Sequence, residues 1–127
     1  MNSWFILPLM IFCHIVDDYY LQGWLASAKQ KKYWQENAPA KMYKNDYLWA
    51  LIMHGFSWAF MIMLPIAFKL NFAVDINFCM MLIINAVFHA SIDDLKANKF
   101  RINLWQDQLA HMGQLVVTFI LYLLEVF

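Results

Sequence analysis

The sequence predicts an all-α protein, a four-helix transmembrane bundle of up-down topology with both termini on the non-cytoplasmic side. Three observations predict it. Apolar residues make up 63% of the 127 residues and charged residues 14%, where soluble globular chains carry about 45–50% and about 25%. The apolar residues gather into four runs near the length a helix needs, roughly 20 residues, to cross a hydrocarbon core of about 30 Å. The basic residues cluster in the connections on one side of those runs, the bias that orients membrane helices. Three glycines and three prolines leave little turn chemistry for a β fold. A net charge of zero offers no basic field for nucleic acid.

The chain reads as one membrane domain over residues 1–127. The first helix is expected over about 3–28, with Ser3 as its cap and Pro8 bending it early. Its first half is apolar. Its second half carries His14, Asp18 and Gln22 at helical spacing, with Asp17 on a neighbouring face within reach of the same cavity. Ala26-Ser27-Ala28 resembles a leader-cleavage site. However, no basic segment precedes the apolar run, and polar residues interrupt it, so the helix is expected to be retained.

Residues 29–46 read as a basic cytoplasmic loop. Lys29, Lys31, Lys32, Lys41 and Lys44 alternate with Tyr33, Trp34 and Tyr43. That pattern suits headgroup depth, where rings anchor and lysines extend toward water. Asn37-Ala38-Pro39 reads as a turn. The second helix is expected over about 47–69 behind an Asn45 or Asp46 cap, with His54 as its only ionisable interior residue. The third runs over about 75–97, capped by Asp75, and the fourth over about 104–127. Cys13 and Cys79 fall in different apolar runs and read as buried free thiols. Cys13 also adjoins His14, but points about 100° away from it on a helix.

Eight basic residues (Lys29, Lys31, Lys32, Lys41, Lys44, Lys96, Lys99 and Arg101) lie on the side of the first and third connections, against Lys69 alone on the other. The basic side is therefore expected to be cytoplasmic, in a multi-pass protein of the inner (plasma) membrane. Measured from that side at 1.5 Å per residue, most of the polar interior groups lie roughly 6–14 Å deep. Each span contributes one of the four histidines. His14 and Asp18, His89 and Asp93, and Asp107 and His111 each stand four residues apart, on one helix face.

Ionisable groups inside a bilayer are costly and usually face a bundle interior or a cavity. Imidazole and carboxylate together suit zinc, iron or manganese. Helix bundles hold such ions with His and carboxylate groups on facing helices. The candidate metal ligands are His14, Asp18, His54, His89, Asp93, Asp107 and His111. Seven donors exceed the three or four protein ligands of a usual zinc site and would suit two divalent ions. Asp18, Asp93 and Asp107 are also the candidate catalytic groups, one of them serving as general base beside a metal-bound water. Gln22, Lys96 and Gln108 would orient ligands or bind a substrate anion. This reading predicts a metal-dependent hydrolase acting on a lipid-linked or inner-leaflet substrate. Its expected partners are the bilayer, a lipid or phosphate-containing small substrate, and a further copy of the chain or another membrane protein.

Three other readings use the same residues. His–Asp pairs can hydrogen-bond across helices and fix their packing. Chains of Asp and His can relay protons or ions, although the other half of every span carries only scattered groups such as Ser57, Asn77, Asn85 and Gln114. A small interaction protein acting through a membrane partner is the third.

The ordered set His14-x3-Asp18-x3-Gln22, His54, His89-x3-Asp93-x2-Lys96 and Asp107-Gln108-x2-His111 resembles a family of small bacterial and phage membrane proteins. That family is catalogued as domain of unknown function 3307. The resemblance covers nearly the whole chain. The doubled aspartates Asp17-Asp18 and Asp93-Asp94 and the tyrosine after Asp18 are small variations on it. It implies an integral membrane protein and carries no established activity. More loosely, His and Asp on short membrane helices are similar to membrane-bound metal-dependent hydrolases, a likeness of residue types alone.

Overall fold

A computed structural model describes residues 2–127. Among the described residues the chain forms six α-helices and no strand: α1 (Ser3–Val16), α2 (Leu25–Ala28), α3 (Lys31–Asn37), α4 (Asp46–Lys69), α5 (Ile76–Ala97) and α6 (Leu104–Leu123). A π-helical turn, Asp17–Leu21, extends α1, and a 3-10 turn, Lys41–Tyr43, precedes α4. Three segments are long and apolar enough to cross a membrane: Ser3–Leu21, Lys41–Lys69 and Ile76–Ala97. Helix α6 is not among them, its first half carrying Gln106, Asp107, Gln108 and His111, with Gln114 just beyond.

The first helix ends earlier than the expected 28. Past the π turn, Gly23 adopts φ +50°, a conformation that glycine takes at little cost, and the chain turns there. The expected loop over 29–46 instead holds α3 and the 3-10 turn. The last helix stops at Leu123, and Glu125 is left-handed at φ +55°. Asn2 rather than Ser3 caps α1, accepting from Trp4 N at 3.1 Å. Asp75 caps α5 as expected, accepting from Phe78 N at 2.9 Å. An unanticipated capping box, Asn103 with Gln106, opens α6. Cys13 and Cys79 are free, but Cys79 is exposed and Cys13 half-buried.

The four long helices close a ring, with α1 against α4, α4 against α5, α5 against α6 and α6 back against α1. Helix α4 approaches α5 closely at Gly55, where an added Cβ would lie 2.6 Å from the Ala86 carbonyl oxygen and 3.1 Å from Ala90 Cβ. Small residues at such a crossing bring backbones together.

Each long helix buries one stripe, and each stripe changes character partway along. In α1 it runs Ile6, Met10, then His14; in α6 it runs Phe119 and Leu115, then His111 and Asp107. In α4 it runs Ile66, Ile62 and Trp58, then His54; in α5 it runs Phe78 and Asn85, then His89 and Asp93. Groups late in α1 and α5 meet groups early in α4 and α6, so neighbouring helices run antiparallel. The apolar half of the stripes forms one core with Trp58 at its edge. Large apolar side chains such as Phe12, Phe56, Phe60, Ile83, Val87 and Val117 face outward. The protein is thus apolar outside and polar in half of its interior.

Candidate metal centre

The site builds from the helical spacing. Four-residue intervals on α1, α5 and α6 aim His14 and Asp18, His89 and Asp93, and Asp107 and His111 inward. The structure buries all six, together with His54 and Asp17. The π turn, a feature frequent at functional sites, begins with the two aspartates, buries them and leaves Tyr19, Tyr20 and Leu21 outside.

His54 and His89 meet at the centre, their Nε2 atoms 3.1 Å apart. Asp18 Oδ1 lies 3.2 Å from His54 Nε2 and 3.8 Å from His89 Nε2. Donor atoms around an ion with bonds of about 2.0–2.2 Å stand about 3–3.5 Å apart, so this triangle has the dimensions of a metal-binding face. Asp93 Oδ2 lies beside it, 3.4 Å from His54 Nε2 and 3.7 Å from His89 Nε2. A second group, His89, Asp93 and His111, overlaps the first and shares His89. His111 Nε2 is 3.3 Å from both Asp93 Oδ1 and Asp107 Oδ1.

His14 stands apart from both groups, with each ring nitrogen engaged. Trp58 Nε1 donates to His14 Nδ1 at 2.7 Å. The proton therefore sits on Nε2, which donates to Gln108 Oε1 at 3.1 Å. Gln108 Nε2 in turn donates to Asp18 Oδ2 at 3.2 Å and Asp107 Oδ2 at 3.1 Å. This directed chain fixes the orientation of two carboxylates. Trp58 also stacks on His89, with centroids 4.3 Å apart and planes at 21°.

Two lysines close one end. Lys29 Nζ donates to Asp93 Oδ2 at 2.5 Å, and Lys96 Nζ donates to Asp107 Oδ2 at 2.6 Å. Lys29 is buried, and its own carbonyl accepts from Asn98 Nδ2 at 3.0 Å. Asp17 accepts from Ser57 Oγ at 2.6 Å and faces His54 Nδ1 at 3.7 Å. Asp17, Asp18, Asp93 and Asp107 set four carboxylates against these two ammoniums, so with neutral imidazoles two negative charges stay uncompensated. An uncompensated buried charge is expensive. The same layer holds buried atoms without a hydrogen-bond partner: Asp17 Oδ2, Asp107 Oδ1, Nδ1 of His54 and His89, and both nitrogens of His111.

The structure thus gathers Asp18, His54, His89, Asp93, Asp107 and His111, with Gln108 and Lys96 against them. Gln22 does not reach the cluster: it follows the π turn, and its side chain donates to the Asp18 backbone carbonyl. Sequence reasoning missed Lys29, Trp58 and Ser57. In the sequence Lys29 is one of a run of headgroup-depth lysines with nothing to set it apart, and nothing in helical spacing marks an indole as a histidine's partner.

Comparison of the chain with family models, curated proteins and solved structures finds no match.

Proposed function

We propose that the protein is a multi-pass membrane protein of the inner membrane, with four spans and both termini outside. We further propose that it works as a metal-dependent hydrolase on a lipid-linked or inner-leaflet substrate. The triangle of Asp18 Oδ1, His54 Nε2 and His89 Nε2, with sides of 3.1–3.8 Å, carries the reading. Two imidazoles and a carboxylate suit zinc, iron or manganese, and three protein ligands leave a position open for water, as in catalytic sites. One dication also balances the two surplus negative charges. A second ion would have to share His89.

Asp18, His54 and His89 would hold the metal ion, which would supply an activated water as nucleophile toward the carbonyl carbon or phosphorus of a substrate ester. Asp93 would accept that water's proton and pass it to the departing alkoxide. Lys29 and Lys96 hold the Asp93 and Asp107 carboxylates, and Gln108, itself held by His14, holds Asp18 in place. The apolar outer faces and the basic segment before α4 support the membrane placement. Kinship with domain of unknown function 3307 belongs to the same proposal.

The test is release of product from acyl and phosphate esters of vesicle lipids by protein loaded with each metal. Release expected from the wild type is lost in Asp93→Asn, which keeps its metal. Equal release by wild type and Asp93→Asn overturns this assignment.

A competing reading, a packing or proton network, keeps the charge balance with two protons on imidazoles instead. It predicts the same geometry without bound metal.

A further inference from the structure

A groove of about 630 Å³ opens sideways between α1 and α6. Its walls are Ile15, Tyr19, Tyr20, Leu104, Trp105 and Met112, and its remaining lining is His14 and Gln108. The wall residues Ile15, Tyr19, Tyr20, Leu104 and Trp105 are exposed. Aromatic rings with polar tips, such as Tyr19, Tyr20 and Trp105, suit the boundary between headgroups and hydrocarbon.

The polar end of this groove separates it from an ordinary gap between helices. His14 and Gln108 belong to the hydrogen-bond chain that ends on Asp18, so Gln108 both lines the groove and holds the candidate metal ligand. Gln108 is half-buried, and its amide nitrogen spans Asp18 and Asp107. The wall from Ile15 to Tyr20 lies on Ser3–Leu21, a segment apolar and long enough to cross a membrane.

We infer that this groove seats one acyl chain of a glycerophospholipid, entering sideways from the bilayer, and that Gln108 is the gate between that chain's ester end and the metal ligands. The inference deepens the hydrolase reading and rests on its membrane placement. It names the substrate class as acyl-chain glycerophospholipid. The lining supports the same occupant: the walls are apolar and aromatic along the groove's length, while one end presents the His14 imidazole and the Gln108 amide, matching a hydrocarbon chain that ends in an ester.

The test is photolabelling of the full chain in phosphatidylcholine vesicles carrying a trace of phosphatidylglycerol with a diazirine on one acyl chain, read by peptide mass spectrometry. The expected result is label at Tyr19, Tyr20, Trp105 and Met112, several-fold above Phe56 and Phe60 on the outer face of α4. Met112→Trp and Ile15→Trp, made separately, fill the groove and should each cut its label several-fold, leaving that at Phe60 unchanged. Equal label on all outward faces overturns the inference. An unlabelled groove in a protein that runs as a dimer also overturns it, assigning the groove to a second copy. Metal content is read on the same samples. Groove label without bound metal leaves the acyl seat standing and removes the hydrolase.

Discussion

His54 Nε2 and His89 Nε2 face each other across the α4–α5 interface at 3.1 Å. The two helices reach this distance because Gly55, the next residue along α4, lets the Ala86 carbonyl approach.

That relationship makes Gly55 a test of the geometry. Gly55→Ala should lower the thermal midpoint in detergent and weaken metal binding, because the new methyl meets backbone at 2.6 Å. Gly113→Ala is the control: an added Cβ there has nothing within 4 Å. It should be neutral, or stabilising by about 0.5–1 kcal/mol as the glycine's backbone entropy cost is removed. Equal midpoints for the two variants contradict the close packing.

The Lys29–Asp93 pair ties the segment before α3 into the site. Lys29→Met leaves a buried carboxylate without its ammonium, a loss of about 3–5 kcal/mol for buried pairs. The double variant Lys29→Met/Asp93→Asn should recover part of that stability, measured by denaturation in detergent. Limited proteolysis should cut within 30–45 faster in Lys29→Met than in wild type. An additive double variant contradicts the pairing.

Trp58→Phe keeps an aromatic ring beside His89 and removes the N–H that fixes the His14 tautomer. Leaving His14 Nδ1 buried and unpaired should cost about 1–3 kcal/mol. Nitrogen NMR of labelled histidine should show His14 as the Nε2–H tautomer in wild type and a mixture in the variant. An unchanged His14 signal contradicts the donor chain through Gln108.

Helical spacing made much of the centre legible. His14 with Asp18, His89 with Asp93, and Asp107 with His111 could be read as inward pairs because residues four apart share a face. His54 followed from its depth alone. What spacing could not reveal depends on how helices approach one another. Lys29 enters the site only because the chain turns at Gly23 and brings α2 back against α4. His14 looked like a ligand until Trp58, from another helix, occupied one nitrogen and Gln108 the other. Asn85 and Gln114 read as scattered groups in the sequence, yet with Thr118 they form a second network. Gln114 Nε2 is 2.8 Å from Asn85 Oδ1, and Thr118 Oγ1 is 3.0 Å from it. The first and last helices stop short of their expected ends at turns: the chain turns at Gly23, with apolar Trp24 and Leu25 resuming beyond it, and Glu125 turns left-handed among Leu124, Val126 and Phe127.

The most direct measurement is metal content of the detergent-purified protein by elemental analysis, after exposure to zinc, iron or manganese, beside Asp18→Asn, His54→Ala, His89→Ala and Gln22→Ala. The account predicts close to one ion per chain in wild type and in Gln22→Ala, and its loss in the other three. A wild type that binds no metal, or His54→Ala and His89→Ala variants that keep it, would contradict the account and leave the cluster as a packing or proton network.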